Sequence, residues 1–116
     1  MAARKQYHRK QLKFTYEGKE YTLEYTRRTV REMEQSGFVV ANIEKQPFSC
    51  ISDLFAGAFL SRHRNVSQRT INDIYNHMTN KEGLIEALTQ MYTEPIQSLV
   101  DEPEDSEKNV TWTVSQ

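Results

Sequence analysis

The stretch of sequence that decides the fold is SCISDLFAGAF, residues 49–59. Its apolar side chains recur every three or four residues, which is the spacing of one face of an α-helix. This stripe consists of Ile51, Leu54, Phe55, Ala58 and Phe59. We therefore predict a helix whose stripe lies in the core, with Ser49 as its N-cap.

Two short segments before this helix alternate apolar and polar side chains, a pattern typical of half-buried strands. They are residues 12–16 and 21–25, and Gly18 between them can adopt the positive φ that a tight turn needs. The apolar face of this predicted hairpin comprises Leu12, Phe14, Tyr16, Tyr21, Leu23 and Tyr25. Because a two-stranded ribbon is barely stable alone, we expect this face to pack on the helices.

A short helix is predicted between the hairpin and the central stripe. It spans about 27–36, with a capping box from Thr29 to Glu32 and with Gly37 as its stop. The apolar residues 38–43 that follow are predicted to be extended or irregular, up to Pro47.

Two more helices are predicted after the central stripe. One spans about 68–79 with Ser67 as its N-cap, and the other begins near Glu82. Pro95 lies inside the apolar pattern of the second helix, so we expect a kink or a break near Tyr92 and Thr93.

These elements predict an α+β fold in which an N-terminal β-hairpin packs on a bundle of three to four helices. We expect a basic arm over residues 1–10, one domain over 11–100 and a flexible, acidic C-terminal tail over 101–116. Residues 101–116 are called the C-terminal segment below. Within it, VTWTV at 110–114 alternates like a short strand. The predicted core consists of Phe14, Leu23, Leu54, Phe55, Phe59, Ile74, Leu88 and Met91.

The net charge of −1 hides a strong polarity along the chain. Residues 1–31 carry nine Lys or Arg against three Glu, whereas residues 82–116 carry eight acidic residues against Lys108 alone. Oppositely charged ends can pair within one molecule or between neighbouring copies. We expect self-association in which these charges set the orientation and an apolar surface supplies most of the affinity.

No combination of residues in the sequence indicates catalysis, and we expect no cofactor and no metal. Cys50 is the single cysteine, so no internal disulfide can form, which fits a reducing cytoplasm. The histidines His8, His63 and His77 lack metal-ligand spacing with each other or with Cys50. No segment is long and apolar enough to span a bilayer, so no membrane association is expected.

One alternative is a small DNA-binding protein of the helix-turn-helix type, such as a phage regulator. Arg62-His63-Arg64-Asn65 precedes a capped helix, and such side chains contact base edges and phosphates. The isoelectric point of about 6.3 weighs against it, because small DNA-binding domains usually carry a basic excess.

The pattern over residues 11–100 resembles a family of tail assembly chaperones encoded by long-tailed phages and prophages of Gram-positive bacteria. The resemblance is carried by four segments and by the last helix. These are Leu12-Lys13-Phe14 through Gly18-Lys19, Tyr21 to Arg27, Val30 to Phe38, Leu54 to Phe59, and Leu84 to Leu99 with Met91-Tyr92. It implies a non-enzymatic, mostly helical protein of the host cytoplasm that self-associates, coats the tape measure protein and recruits the major tail protein. It also implies a longer form made by frameshifting near the gene's end.

The family supplies no active-site residues, so the expected protein-binding surface comes from the residues of this chain. An apolar part is expected beyond the kink of the last helix, and charged parts are expected at the two ends of the domain. The predicted binding residues are Tyr92, Ile96, Leu99, Arg27, Arg28, Asp101, Glu102, Glu104 and Asp105.

Overall fold

The computed structural model describes residues 10–103 and 105–115 and confirms the α+β architecture. Two strands are followed by four α-helices. The elements are β1 (Leu12–Tyr16), β2 (Lys19–Leu23), α1 (Arg27–Gln35), a 3₁₀ helix (Val40–Ile43), α2 (Pro47–Gly57), α3 (Gln68–His77) and α4 (Lys81–Gln97).

The hairpin has a tighter turn than the sequence predicted. Its strands pair antiparallel with Tyr16 opposite Lys19, so only Glu17 and Gly18 form the turn. Both turn residues have positive φ, +50° and +77°, as the two-residue turns that match the twist of a hairpin require. The second strand is therefore Lys19–Leu23 rather than 21–25.

Glu24 and Tyr25 leave the strand pattern because both of their side chains are buried, next to the buried Leu23. Three buried residues in succession break the alternation of a strand, in which successive side chains point to opposite faces. The Tyr25 hydroxyl donates a hydrogen bond of 2.6 Å to the Leu54 carbonyl of α2. The chain thus turns off the sheet edge and into the helical layer.

The first helix begins one turn earlier than its predicted capping box. Thr26 is the N-cap, and its side chain accepts the Thr29 amide over 3.0 Å. The Thr29 hydroxyl in turn accepts the Thr26 amide over 2.8 Å, so Thr29 is the third residue of the box and not its start. The predicted stop is confirmed, because Gly37 follows the helix with a φ of +97°.

The central helix also begins earlier than predicted. Gln46 is its N-cap, without a side-chain hydrogen bond, and Pro47 is its first residue. A proline fits that position because the first helical amide has no partner within the helix. The prediction that Ser49 caps this helix was therefore wrong. The predicted N-cap of α3 is confirmed, since Ser67 accepts the Thr70 amide over 3.2 Å.

The last helix runs unbroken from Lys81 to Gln97 through Pro95. Of the predicted kink or break near Tyr92 and Thr93, the break does not occur, and Tyr92 and Pro95 both lie on the buried face of the helix. Pro95 has no amide hydrogen, so the last turn of the helix lacks one backbone hydrogen bond. The packing of the buried face outweighs this loss.

The predicted core is confirmed, with Phe14 half-buried at its margin and the other predicted members buried. The hairpin lies on the helices through aromatic contacts, such as Tyr21 with Phe59 at 6.0 Å between ring centroids. Within α2, Ile51 is only half-buried, whereas the rest of the predicted stripe is buried.

The predicted strand at 110–114 does not form. The described residues of the C-terminal segment have no regular secondary structure, and their side chains are exposed. Among residues 10–103 and 105–115 the sheet consists of β1 and β2, and residues 110–114 pair with neither strand.

We expect Phe59→Ala to lower the free energy of unfolding by about 3–5 kcal/mol, because it removes a fully buried ring from the centre of the core. Urea denaturation followed by circular dichroism measures this change. The matched control is Phe48→Ala in α2, where the side chain is 93% exposed. It should change the stability by less than about 0.5 kcal/mol. Equal effects of the two substitutions would contradict the core assignment.

Candidate interaction surfaces

The most buried charged side chain belongs to a hydrogen-bonded cluster that joins the hairpin to the helices. The Glu24 carboxylate, in a residue only 2% exposed, accepts hydrogen bonds from Gln11 at 3.0 Å, Ser61 at 2.6 Å and Arg62 at 3.0 Å. Burial by itself would raise the pKa of Glu24, but these hydrogen bonds outweigh it and hold that pKa below the ordinary value. The carboxylate is therefore ionised, and its hydrogen bonds join the hairpin to the helical part of the protein.

His63 makes a second link between the same two parts of the chain. Its Nε2 accepts the backbone amide of Thr22 in β2 over 3.0 Å, and its ring lies 5.1 Å from that of Tyr21. Burial lowers the pKa of His63, and the nearby charges of Lys19 and Arg62 lower it further. The neutral ring is the form that fits this site, since a protonated Nε2 could not accept the amide.

Arg64 is held by a carboxylate of α1. Its two terminal nitrogens each donate to a different oxygen of Glu32, both over 2.9 Å. Glu32 also lies 3.6 Å from Arg28, one helical turn before it. The side-chain hydrogen bonds from Arg64 lower the pKa of Glu32.

These contacts bear on the DNA-binding alternative. Arg62, His63 and Arg64, which the alternative needs for phosphates and bases, all contact other groups within the molecule. The connection between α2 and α3 covers residues 58–67, much longer than the turn of about three or four residues in a helix-turn-helix. The geometry therefore gives that alternative no support.

The described side chains of Cys50, the histidines and the acidic residues form no candidate metal site. Cys50 is buried, and its Sγ lies 3.8 Å from the Val39 carbonyl. In residues 10–103 and 105–115, no three His, Cys, Asp or Glu side chains are placed to hold a metal ion. Over the same residues, no helix combines the length and apolar character needed to cross a membrane.

The structure divides the apolar residues of the predicted binding surface. Tyr92 is fully buried and contacts the rings of Tyr25 and Phe38 at 5.3 and 5.1 Å, so its assignment to the surface was wrong. Ile96 and Leu99 are exposed at the end of α4 together with Val100. We call Ile96, Leu99 and Val100 the terminal patch.

The charged residues of the predicted surface lie around this patch. The Arg27 guanidinium donates to the Ser98 hydroxyl and carbonyl over 2.9–3.0 Å, which places α1 beside the end of α4. Arg28 is exposed beside it. Asp101 accepts a hydrogen bond of 3.3 Å from Gln97, whereas Glu102 and Asp105 are exposed. Glu104 lies outside the described residues.

The oppositely charged ends of the chain meet within one molecule at one described contact. Lys10 lies 3.3 Å from the Glu94 carboxylate of α4. This pair uses a basic residue next to the hairpin and an acidic residue of the last helix, so the internal pairing that the charge polarity allowed is present in part. The acidic residues Glu102 and Asp105 make no ion pair with the described residues.

The structure contains a groove between α2 and α3 that the sequence patterns did not predict. It encloses about 610 Å³, and we call it the α2–α3 groove. Its lining residues carry no charge and are Pro47, Phe48, Ile51, Ser52, Phe55, Ile71, Asn72, Tyr75 and Asn76. Phe48 lies three residues before Ile51, so the apolar stripe of α2 in fact starts one turn earlier, and that extension was the available signal.

Only one comparison with known proteins gave a match. A family model described as "Domain of unknown function (DUF5055)" covers residues 6–116, so the chain belongs to the DUF5055 family. No curated protein and no solved structure matches the chain. The family model includes the C-terminal segment together with the folded body.

We expect the protein to lose stability as the pH falls below about 6.5, because the unfolded chain then takes up a proton on His63 before the folded protein does. A stability contribution from a lowered histidine pKa is complete above the unfolded value and is lost toward lower pH. His63→Gln supplies an uncharged acceptor for Thr22 and should shrink the fall in Tm between about pH 7.5 and 5.5.

The matched control for this measurement is His77→Gln, which alters an exposed histidine of α3. If the Tm of His63→Gln falls as steeply with pH as that of the unsubstituted chain, and the Tm of His77→Gln falls less, the assignment of this pH dependence to His63 is wrong. The lowered pKa of Glu24 also makes the stability decrease as the pH falls, but only below about pH 4.5, the ordinary pKa of a glutamate.

Proposed function

We propose that this DUF5055 domain is a non-enzymatic phage tail assembly chaperone that acts in the host cytoplasm. It binds the tape measure protein and recruits the major tail protein before the tail tube polymerises. The proposal combines the family resemblance of residues 11–100 with the exposed apolar surfaces of the structure. Its chemistry is binding, for which the described residues offer apolar surface, and not bond making.

The observation that carries the proposal is the apolar stripe of α4, which continues beyond the body of the protein. The stripe is buried along most of this helix, at Leu84, Leu88 and Met91. Its continuation at the end of the helix is exposed and forms the terminal patch. Leu99 is 65% exposed there. A stripe that leaves the core can continue into the groove or seam of a partner helix, which is a common mode of helix recognition.

The client that suits this patch is a long helix with an apolar face. Tape measure proteins of the resembled family are long and helical, and such a helix can present apolar residues at i, i+3 and i+4 to the terminal patch. Arg27 contacts Ser98 beside the patch, and Asp101 and Glu102 follow Val100 directly. These charges of opposite sign favour one orientation of the client. Because these charges are exposed, they affect the association rate more than the affinity.

Self-association is the second part of the proposed activity. A chaperone that covers a long client needs several copies along it, and repeated contacts between copies provide such an array. The terminal patch alone serves the client in this scheme. The contact between copies must therefore use a different surface.

We expect the double substitution Ile96→Ser and Leu99→Ser to weaken capture of the tape measure protein at least about tenfold. Each side chain contributes about 1.5–3 kcal/mol if an interface buries it fully, and about 1.4 kcal/mol corresponds to a factor of ten. Co-expression of the chaperone with the tape measure protein, followed by affinity capture and titration, measures the change. Both positions are exposed, so the fold should persist by circular dichroism.

The matched control is Gln90→Ser, which changes an exposed residue of the same helix away from the patch. It should capture the tape measure protein as the unsubstituted chain does. Absence of binding by the unsubstituted chain to both the tape measure protein and the major tail protein would refute the proposed function. Normal capture by the double variant would leave the function standing but would exclude the terminal patch as the client surface.

A further inference from the structure

The α2–α3 groove has the features of a binding site for an extended, uncharged peptide. Residues 47–55 of α2 line it over a helical length of about 12 Å. Its floor is apolar, with Ile51, Phe55 and Ile71, and Phe48 stands exposed at one edge. Exposed apolar surface of this kind marks interaction sites in folded proteins.

The same chain carries a segment of matching character. Residues 110–114, VTWTV, are uncharged, and their apolar members alternate, so that Val110, Trp112 and Val114 share one side of an extended chain. All three are exposed, Trp112 by 79%. In extended form the segment spans about 13 Å between its first and last Cα atoms, close to the length of the groove.

We propose that the α2–α3 groove of one copy binds residues 110–114 of a second copy. Val110, Trp112 and Val114 point into the apolar floor, and Thr111 and Thr113 point outward. Ser52, Asn72 and Asn76 along the groove supply donors and acceptors for the main chain of the bound segment.

Charge complementarity favours this occupant over an arbitrary peptide. The groove itself is uncharged, but Lys45 lies two residues before Pro47 at one end. The Lys81 Nζ lies 5.5 Å from the ring of the lining residue Tyr75. Residues 101–108, which precede the segment, carry five acidic residues and one basic residue, Lys108. The acidic residues of one copy can therefore lie close to Lys81 of the other.

The chain's own segment is exposed in the structure, which leaves the groove free for a second copy. Lys81 begins α4 beside the groove, whereas the C-terminal segment starts after the opposite end of α4, about 25 Å along its axis. Arg27 holds that end next to α1 through Ser98. In the structure the chain's own segment lies exposed, outside its own groove.

One such contact is small for a specific interface, which typically buries more than about 1,200 Å². A reciprocal exchange between two copies makes the contact twice around a two-fold axis. The groove is separate from the terminal patch, so this inference does not depend on the identity of the client.

Trp112 is the only tryptophan of the chain, so its fluorescence reports directly on the proposed contact. With the unsubstituted full-length protein, raising the concentration from about 1 µM to about 0.5 mM should shift the emission to the blue and reduce acrylamide quenching. Light scattering in the same samples should show the mass rising to that of a dimer over the same range. Trp112→Ser should remain monomeric throughout.

Asn76→Glu tests the groove, because it puts a negative charge on the lining and opposes the acidic stretch. It should raise the dissociation constant of the dimer at least about tenfold, while circular dichroism stays unchanged because Asn76 is exposed. The matched control, Val39→Ser, removes an exposed apolar side chain outside the groove and should dimerise normally.

Four results would overturn the inference, and the first three concern the unsubstituted protein. They are a protein that stays monomeric at about 0.5 mM, a dimer in which Trp112 remains as accessible to acrylamide as in the monomer, and a blue-shifted emission that does not depend on concentration. The last would show that the segment occupies the groove of its own chain. Equal dimerisation of Asn76→Glu and Val39→Ser would likewise exclude the groove. None of these results alters tape measure protein capture, which the variants of the terminal patch test separately.

Discussion

The rest of the structure depends on the buried carboxylate of Glu24. A two-stranded hairpin needs packing partners to be stable, and Glu24 is the residue at which the hairpin joins the helical layer. Its amide donates to the Ala58 carbonyl over 3.2 Å, and its side chain accepts from Ser61 and Arg62 just beyond. A buried charge is tolerated only with such partners, so the same bonds that satisfy the carboxylate also fix the hairpin in place.

This link determines what the basic loop after α2 can do. Arg62 is bound to Glu24, His63 accepts an amide of β2, and Arg64 is paired with Glu32 of α1. These three side chains connect the loop to the end of the hairpin, to β2 and to α1. The groups left for partners are the apolar ones that the core does not cover, at the end of α4 and between α2 and α3.

The elements that could be predicted from the sequence are those fixed by local periodicity. The stripe of α2, the faces of the hairpin and the inward side of α3 follow from spacing alone, because neighbouring turns of one element determine which side chains share a face. The helix starts were predicted less well. Thr26 and Thr29 both have the chemistry of an N-cap, and the choice between them depends on where the chain leaves the sheet, which the burial of Glu24 and Tyr25 decides.

The candidate surfaces could be predicted only in part, for a related reason. Periodicity shows that Tyr92, Ile96 and Leu99 lie on one side of α4, but it does not show how far along the helix the body of the protein extends. That body ends between Tyr92 and Ile96, since Tyr25 and Phe38 cover Tyr92 whereas Ile96 is 39% exposed. Phe48 was missed because the predicted stripe began at Ile51, one turn later in the sequence, whereas Phe48 is exposed and lines the α2–α3 groove.

The positions of the two proposed surfaces on α4 suggest how copy-to-copy binding and client binding can occur together. The α2–α3 groove lies near the start of this helix and the terminal patch lies at its end, about 25 Å away. A partner's segment in the groove therefore leaves the patch open. A dimer joined through the grooves presents two patches to one long client, so the second patch binds at the high effective concentration set by the first. Weak contacts of each kind can then give a stable array on a client that offers repeated apolar faces, and separate copies can still dissociate when no client is present.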